Sequence, residues 1–267
     1  MSKAMLIDTT RCIGCRACQV ACKSWHELEG KPTTFSDTWS NPRFMDSRNY
    51  TRVIFREVAK GDNLNWYFIK RQCMHCLDPA CESVCPVGAL VKLKEGPVVY
   101  DDGKCIGCRY CMMACPFQVP KFQWESAVPL VRKCDFCADR LQAGLNPSCT
   151  ATCPTGTLIY GERADLLKEA HRRLGAHPDK YYPEVYGEKI VGGTSVLYLT
   201  PVSFTELELD HRGFRTDLGN VPYGLYGREW MSKVPWVALT VGGLAVGIHY
   251  LNQRRAAVKA QEEHKED

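Results

Sequence analysis

Sixteen cysteines, all between positions 12 and 153, fall into four groups that repeat one rule of spacing. Cys12, Cys15, Cys18 and Cys22 form the first group, and Cys73, Cys76, Cys81 and Cys85 the second. Cys105, Cys108, Cys111 and Cys115 form the third, and Cys134, Cys137, Cys149 and Cys153 the fourth. Each opens C-x-x-C and closes C-x-x-x-C, while the middle spacing runs x2, x4, x2 and x11. A repeat of this kind restricts the fold more than composition does, because each copy implies the same local unit. Otherwise the 267 residues have an ordinary globular balance, with 45% hydrophobic and 24% charged residues.

Three chemistries compete for such thiols. A secreted disulfide scaffold needs a signal peptide, yet Met1-Ser2-Lys3-Ala4 leads directly into "MLIDTTRCIGC" without an apolar run of that length. One exception is a protein carried across a membrane already folded, attached to a signal-bearing partner. Structural zinc takes four tetrahedral ligands, usually as paired C-x-x-C knuckles or with histidine. Groups one and three instead place three thiols at x2 pitch and a fourth at x3. That is the two-cluster ferredoxin run C-x2-C-x2-C-x3-C-P, whose fourth cysteine serves the neighbouring iron–sulfur cluster. Pro86, Pro116 and Pro154 supply the terminal proline; Lys23 takes its place in group one and leaves the following turn open. Four repetitions select iron–sulfur binding.

Nearby residues fit this chemistry. Gly14 and Gly107 allow a tight loop that aims N–H groups at sulfur. Ile13 and Ile106 can cover a cluster face and limit water. Arg11, Arg16, Lys104, Arg109, Arg132 and Lys133 border the motifs, either favouring an anionic cluster or serving as hydrated surface charge. His75, inside "CMHC", is read as a neighbour of the ligands or an exposed residue, since its group already has four thiols. The chain has no dinucleotide fingerprint, phosphate-cradling loop or nucleophile elbow, so no substrate chemistry of its own is signalled. A net charge of +4, dispersed along the chain, carries no nucleic-acid signature.

Strand and helix signals surround the cysteines. "YTRVIFREV" and "WYFIKR" flank "AKGDNLN" as a hairpin, and "GALVKLKEGPVVYDDGKC" reads as two short strands turning at Glu95-Gly96-Pro97. "ERADLLKEAHRRLG" places Leu166, Leu167, Ala170 and Leu174 on one helical face, with Gly175 as the expected stop, and "GGTSVLYL" reads as a strand. From Val234 to Leu251 no residue is charged, and the eighteen residues as a helix reach roughly 27 Å, close to a bilayer's hydrocarbon thickness. Trp230, Trp236 and Tyr250 stand where interface anchors would. A buried core helix is the alternative, weakened because little sequence follows to bury it. Gly243 and Gly247 form G-x-x-x-G, either a close-approach face or simply glycines in a membrane helix. His249 is read as a polar packing residue rather than a haem ligand.

The cysteine motifs, in this order, resemble the four-cluster iron–sulfur subunit of molybdopterin oxidoreductase complexes. "CIGCRACQVACKSWHEL", "YGEKIVGGTSVLYL" and the late apolar span look like the β subunit of membrane-bound respiratory formate dehydrogenase. The resemblance implies an α+β fold of two pseudo-symmetric bacterial-ferredoxin-like modules, each holding two [4Fe-4S] clusters, with hairpin insertions and one C-terminal transmembrane helix. It implies a four-cluster domain over 1–160 with an insertion at about 31–70, an extension over 161–230, a membrane helix over 231–253 and a polar tail over 254–267. The first motif would pair with the fourth and the second with the third, giving four [4Fe-4S] clusters. Cys12, Cys15, Cys18 and Cys153 would hold one; Cys134, Cys137, Cys149 and Cys22 another. Cys73, Cys76, Cys81 and Cys115 would hold the third, and Cys105, Cys108, Cys111 and Cys85 the fourth.

The implied partners are a catalytic subunit carrying molybdenum or tungsten bound to pterin, a cytochrome b-type membrane subunit and the bilayer itself. Electrons would pass from formate to quinone, with no catalytic residue in this chain. The implied location is the bacterial inner membrane. Arg254, Arg255 and Lys259 outnumber Arg228 and Lys233 near the span, which favours a cytoplasmic C-terminus and a periplasmic cluster domain. The rival electron source is a nickel–iron hydrogenase or another molybdopterin oxidoreductase. A zinc-stabilised scaffold is the rival of a different class.

Overall fold

The computed structural model describes residues 2–35, 39–207 and 217–266, with side chains of the terminal helix described to Ala257. Its strands are β1 (Lys3–Asp8), β2 (Arg52–Lys60), β3 (Asn63–Arg71), β4 (Leu90–Lys92), β5 (Val98–Tyr100), β6 (Lys121–Phe122), β7 (Val131–Arg132), β8 (Leu158–Glu162) and β9 (Val196–Leu199). Its helices are α1 (Ala17–Trp25), α2 (Ala80–Ser83), α3 (Tyr110–Ala114), α4 (Ala138–Gln142), α5 (Ser148–Ala151), α6 (Arg163–Ala176) and α7 (Tyr223–Glu266). The class is α+β. The chain divides into two compact units, Met1–Gly227 and Arg228–Asp267.

One three-stranded sheet organises the first unit, in the order β8-β1-β9. β1 runs antiparallel to β8 and parallel to β9, so the N-terminal strand is held between two segments that follow the last cysteine. Ala4 through Ile7 are fully buried because both faces of this central strand are covered. Successive side chains point to opposite faces. Ala4 and Leu6 pack with Leu166, Ala170, Leu197 and Leu199, beneath α6. Met5 and Ile7 pack in the cluster that contains Cys22, Cys73, Cys134 and Cys149. Each of these large aliphatic side chains contributes roughly 2 kcal/mol by burial. The sheet is thus a wall between an ordinary helix-on-sheet core and the cysteine region.

The expected hairpin is present as β2 and β3, paired from Arg52–Arg71 to Lys60–Asn63. The strands extend further into "AKGDNLN" than expected, leaving Gly61 and Asp62 to make the turn, with Gly61 at φ +58. This is the two-residue connection that a glycine at positive φ permits. β4 and β5 form the second expected pair. α6 carries the predicted apolar face but does not stop at Gly175. It runs to Ala176, and His177 leaves the helix at φ −141, ψ 66, because the residue before Pro178 is disfavoured in helical geometry.

α7, which makes up the second unit from Arg228 on, is longer than the span expected from hydropathy. It starts at Tyr223, contains Pro235 and reaches Glu266. Within Tyr223–Ala257 an eighteen-residue window reaches mean hydropathy 1.5, and the helix is long and apolar enough to cross a membrane. None of this window is buried among the described residues. The expected polar tail continues the helix, as its alanines, lysines, glutamines and glutamates favour. Lys259 lies beyond the described side chains.

Asp8 joins the sheet to the first cysteine motif. Its carboxylate is fully buried and accepts from Arg173 Nη1 at 2.8 Å and Tyr181 Oη at 2.9 Å through Oδ2. Oδ1 accepts from the Thr10 hydroxyl at 2.6 Å and the Thr10 N–H at 3.2 Å. Asp8→Ala takes away one of the two carboxylates on half-buried Arg173, which keeps Glu169 Oε1 at 2.8 Å, and leaves the buried Tyr181 hydroxyl without its acceptor, a change of about 1–3 kcal/mol. It is expected to lower the anaerobic thermal unfolding midpoint, whereas Asp165→Ala, at the exposed start of α6, leaves it nearly unchanged.

Candidate metal centres

Local backbone geometry repeats between the first and third cysteine motifs. Asp8 and Asp101 each cap a short 3-10 turn, accepting from Thr10 N at 3.2 Å and Gly103 N at 3.1 Å. Cys12 and Cys105 then lie extended, Gly14 and Gly107 adopt φ +68 and +70, and Arg16 and Arg109 adopt φ +61 and +64 before α1 and α3 begin. Two left-handed residues in three tighten the loop, so one face of backbone turns toward the thiols. The Gly107 N–H donates to Cys105 Sγ at 3.4 Å, and the Gly14 N–H donates to Cys12. A Cβ on Gly14 would lie 2.9 Å from the Phe68 ring, a close approach only glycine allows.

Helix pairing then brings distant groups together. α1 packs on α5, with the Ser148 hydroxyl donating to the Ala21 carbonyl at 3.1 Å. α2 packs on α3. All sixteen cysteines are free thiols. Burial raises the Cys12 pKa, and the charges of Cys153 and Cys15 add to that rise. Cys18 is pushed up to about 11 by burial, with Cys149, Cys12 and Cys153 as neighbouring charges. Burial raises Cys22, with Cys149 and Cys137 beside it, and raises Cys134 well above the usual thiol range, with Cys22 beside it. Cys76 rises strongly for the same reason, next to Cys115, Cys73 and Cys81. Cys111 is pushed up to about 11 by burial, next to Cys108, Cys105 and Cys85.

These charge neighbours cross between motifs, as the resemblance implies they would. Cys153 is a neighbouring charge of Cys12 and Cys18, Cys22 of Cys134, Cys115 of Cys76 and Cys85 of Cys111. Burial and neighbouring thiolates oppose ionisation of Cys18, Cys22, Cys76, Cys111 and Cys134, a cost that a bound cation would offset. Soft sulfur donors in fours fit the iron of a [4Fe-4S] cluster. N–H groups already aimed at sulfur support that fit: Ala89 donates to Cys85 Sγ at 3.2 Å, and Ser148 donates to Cys137. Backbone N–H groups of Leu158, Thr155 and Thr157 and the Thr155 hydroxyl outweigh burial at Cys153 and lower its pKa.

His75 gives a second indication. It is fully buried, its Nδ1 accepts the Val98 N–H at 2.9 Å, and its ring stacks on Phe136 at 4.0 Å. Burial, with Lys133, Lys92 and Lys70 nearby, keeps the ring neutral, so the proton resides on Nε2. That buried donor has no partner among the described residues. Cluster sulfur is the kind of acceptor such a donor lacks. The exposed role considered for His75 is therefore replaced by a buried one, imposed by the stack and the Val98 bond.

Spacing alone missed several groups. His26 Nε2 lies 3.7 Å from Cys137 Sγ and 3.4 Å from Asp135 Oδ1, and the three atoms fall within 4.8 Å of one another. The available signal was its place four residues after Cys22, one helical turn on. Lys70, Lys92 and Lys133 also converge on the thiols, though only Lys133 borders a motif in sequence. Ile13 and Ile106 are 61% and 65% exposed, so they sit at the surface beside Cys12 and Cys105. Arg16 lies 4.6 Å from the Phe55 ring, and Arg109 lies 5.2 Å from the Trp124 ring.

Matches to a 4Fe-4S dicluster domain cover residues 11–89 and 64–163. The chain is 40% identical over 278 residues to the hydrogenase-2 operon protein HybA of Escherichia coli O157:H7, covering 90% of this chain and 83% of that protein. It is 37% identical over 199 residues to the nitrate-inducible formate dehydrogenase iron-sulfur subunit of Escherichia coli strain K12, covering 73% of this chain and 67% of that subunit. With the formate dehydrogenase iron-sulfur subunit of Haemophilus influenzae it shares 34% identity over 260 residues, 93% of this chain and 80% of that one.

Proposed function

We propose that this chain, which belongs to the 4Fe-4S dicluster family that includes the iron–sulfur subunits of formate dehydrogenase, relays electrons through four [4Fe-4S] clusters. It is an electron-transfer subunit and not the catalytic one. The observation that carries the reading is the set of four thiol foursomes, each assembled from two motifs. Cys12, Cys15, Cys18 and Cys153 are assigned to the first cluster, and Cys134, Cys137, Cys149 and Cys22 to the second. Cys73, Cys76, Cys81 and Cys115 are assigned to the third, and Cys105, Cys108, Cys111 and Cys85 to the fourth. Groups one and four then make one ferredoxin-like module, and groups two and three its pseudo-symmetric counterpart.

Contacts between foursomes support a linear order. Cys18 has Cys149 as a neighbouring charge, Cys134 has Cys73, and Cys81 has Cys111. Those links join first to second, second to third and third to fourth. A [4Fe-4S] cluster accepts and releases one electron, so such a row is suited to carrying charge through the protein. The chain's own residues fix the spacing of the thiols, supply N–H donors to sulfur and bury cations beside the anionic sites.

The electron source in this reading is a molybdenum- or tungsten-pterin formate dehydrogenase subunit. The acceptor is a cytochrome b-type subunit that delivers to quinone. α7 spans the bacterial inner membrane once, with the cluster domain on the periplasmic side and the C-terminus in the cytoplasm. The domain division is 1–160 for the clusters, 161–230 for the extension, 231–253 for the membrane segment and 254–267 for the tail. The higher identity to HybA, 40% against 37% and 34%, supports a second reading, in which a hydrogenase subunit supplies the electrons.

Gentle solubilisation of membranes followed by capture of this chain is expected to bring down a pterin-containing subunit; recovery of a nickel–iron subunit instead would favour the second reading. Cys153→Ser tests the crossed assignment. It is expected to disturb the spectrum of the Cys12 cluster and lower iron content by up to about one quarter, one cluster of four. Loss confined to the cluster of Cys134 and Cys137 would contradict the pairing.

A further inference from the structure

All four cysteine motifs bend at the same place. The residue just before the second cysteine has positive φ in each: Gly14 at +68, His75 at +48, Gly107 at +70 and Phe136 at +64. Glycine adopts this geometry freely, whereas a residue with a side chain seldom does. Motifs one and three use the permissive residue, and motifs two and four place a ring there instead. Those two rings meet. His75 and Phe136 stack with centroids 4.0 Å apart and planes 19° from parallel, at 0% and 1% exposure. The glycine copies show that the turn itself needs no ring, so the unfavourable φ at both positions is retained for the contact between the two motifs. Both rings are also held by neighbouring strands. Ser195 N–H donates to the His75 carbonyl at 3.1 Å and Val196 N–H to the Met74 carbonyl at 3.2 Å, which pins that loop to the start of β9. Val98 N–H donates to His75 Nδ1 at 2.9 Å and orients the ring. Phe136 meets Tyr160 of β8 edge-on, with centroids 5.8 Å apart.

We propose that the His75–Phe136 stack is the positioning contact that fixes the spacing between the second and third clusters, at the joint of the two modules. This rests on the four-cluster reading above. His75 directly precedes Cys76 and Phe136 directly precedes Cys137, so the rings stand on loops assigned to different clusters. Two flat rings in van der Waals contact leave no room for water between those loops and set how closely they approach. One-electron transfer weakens steeply as the distance between centres grows, so a small opening of this joint slows the only step that leaves one module for the other. The stack acts through position alone: neither ring is assigned as a ligand.

Two substitutions remove the stack in different ways. Phe136→Gly deletes the ring at a turn that glycine adopts freely, and Phe136→Leu keeps apolar volume without a flat face. Phe136→Tyr retains the ring. The full chain, purified anaerobically with its clusters, is reduced completely with dithionite, and the spin–spin interactions between clusters are read by electron paramagnetic resonance. The interaction of one neighbouring pair is expected to weaken in Phe136→Gly and Phe136→Leu, with iron and sulfide content at the parent level and the Phe136→Tyr spectrum close to the parent. Unaltered interactions in the loaded Phe136→Gly and Phe136→Leu variants would overturn the inference. So would a Phe136→Tyr variant weakened as much as Phe136→Leu. Loss of iron from both ring-deleted variants would overturn it as well, because the stack would then retain ligands rather than space clusters; if only one loses iron, the other decides. Iron and sulfide content of the parent separates the two levels: a parent without clusters defeats the four-cluster reading, whereas a loaded parent with unaltered variants defeats only the role of the stack.

Discussion

Thiols crowded beside one another's charges, several of them buried, are the constraint on which the rest of this fold depends. Without a cation among them they repel as they ionise, and burial opposes their charge. The fold therefore has to deliver each set with little freedom to relax. In the proposed assignment every foursome is drawn from two motifs, up to 141 residues apart between Cys12 and Cys153. Each site then acts as a long-range tie between segments, and the helix pairs α1 with α5 and α2 with α3 are the scaffolds of those ties. β1 supports the same arrangement from behind, with Met5 and Ile7 against the cysteines and Ala4 and Leu6 against the core under α6.

The replacement of a proline by Lys23 has a larger effect than the following turn. In the third motif Pro116 holds Cys115 in extended geometry, at φ −72 and ψ 112, and α3 ends at Ala114. In the first motif α1 runs past Cys22 to Trp25. That additional helical length carries His26 to Cys137 and Asp135, and it lets Lys23 Nζ donate to the Arg48 carbonyl at 3.0 Å. A single departure from the repeat thus makes the two otherwise similar motifs chemically different.

The cysteine spacing made the iron–sulfur family legible, and alternation and turn residues made the β2–β3 and β4–β5 pairs legible. The parallel pairing of β1 with β9 was not, because Met5 and Val196 are brought together by packing across most of the chain. Lys70 was equally hidden: in "WYFIKR" it occupies a position that reads as the polar end of a strand, and only tertiary structure encloses it. Hydropathy located the apolar segment of α7 but not its ends, since helix propensity continues where hydrophobicity stops. Local patterns report local choices. The assembled charges depend on contacts that no short window contains.

Coulometric reduction of the anaerobically purified chain, with iron, acid-labile sulfide and zinc measured on the same sample, tests the central account most directly. Four one-electron sites predict an uptake of about four electrons per chain, with about sixteen iron atoms and as many sulfides. Zinc near four atoms per chain with no acid-labile sulfide and no electron uptake would contradict it.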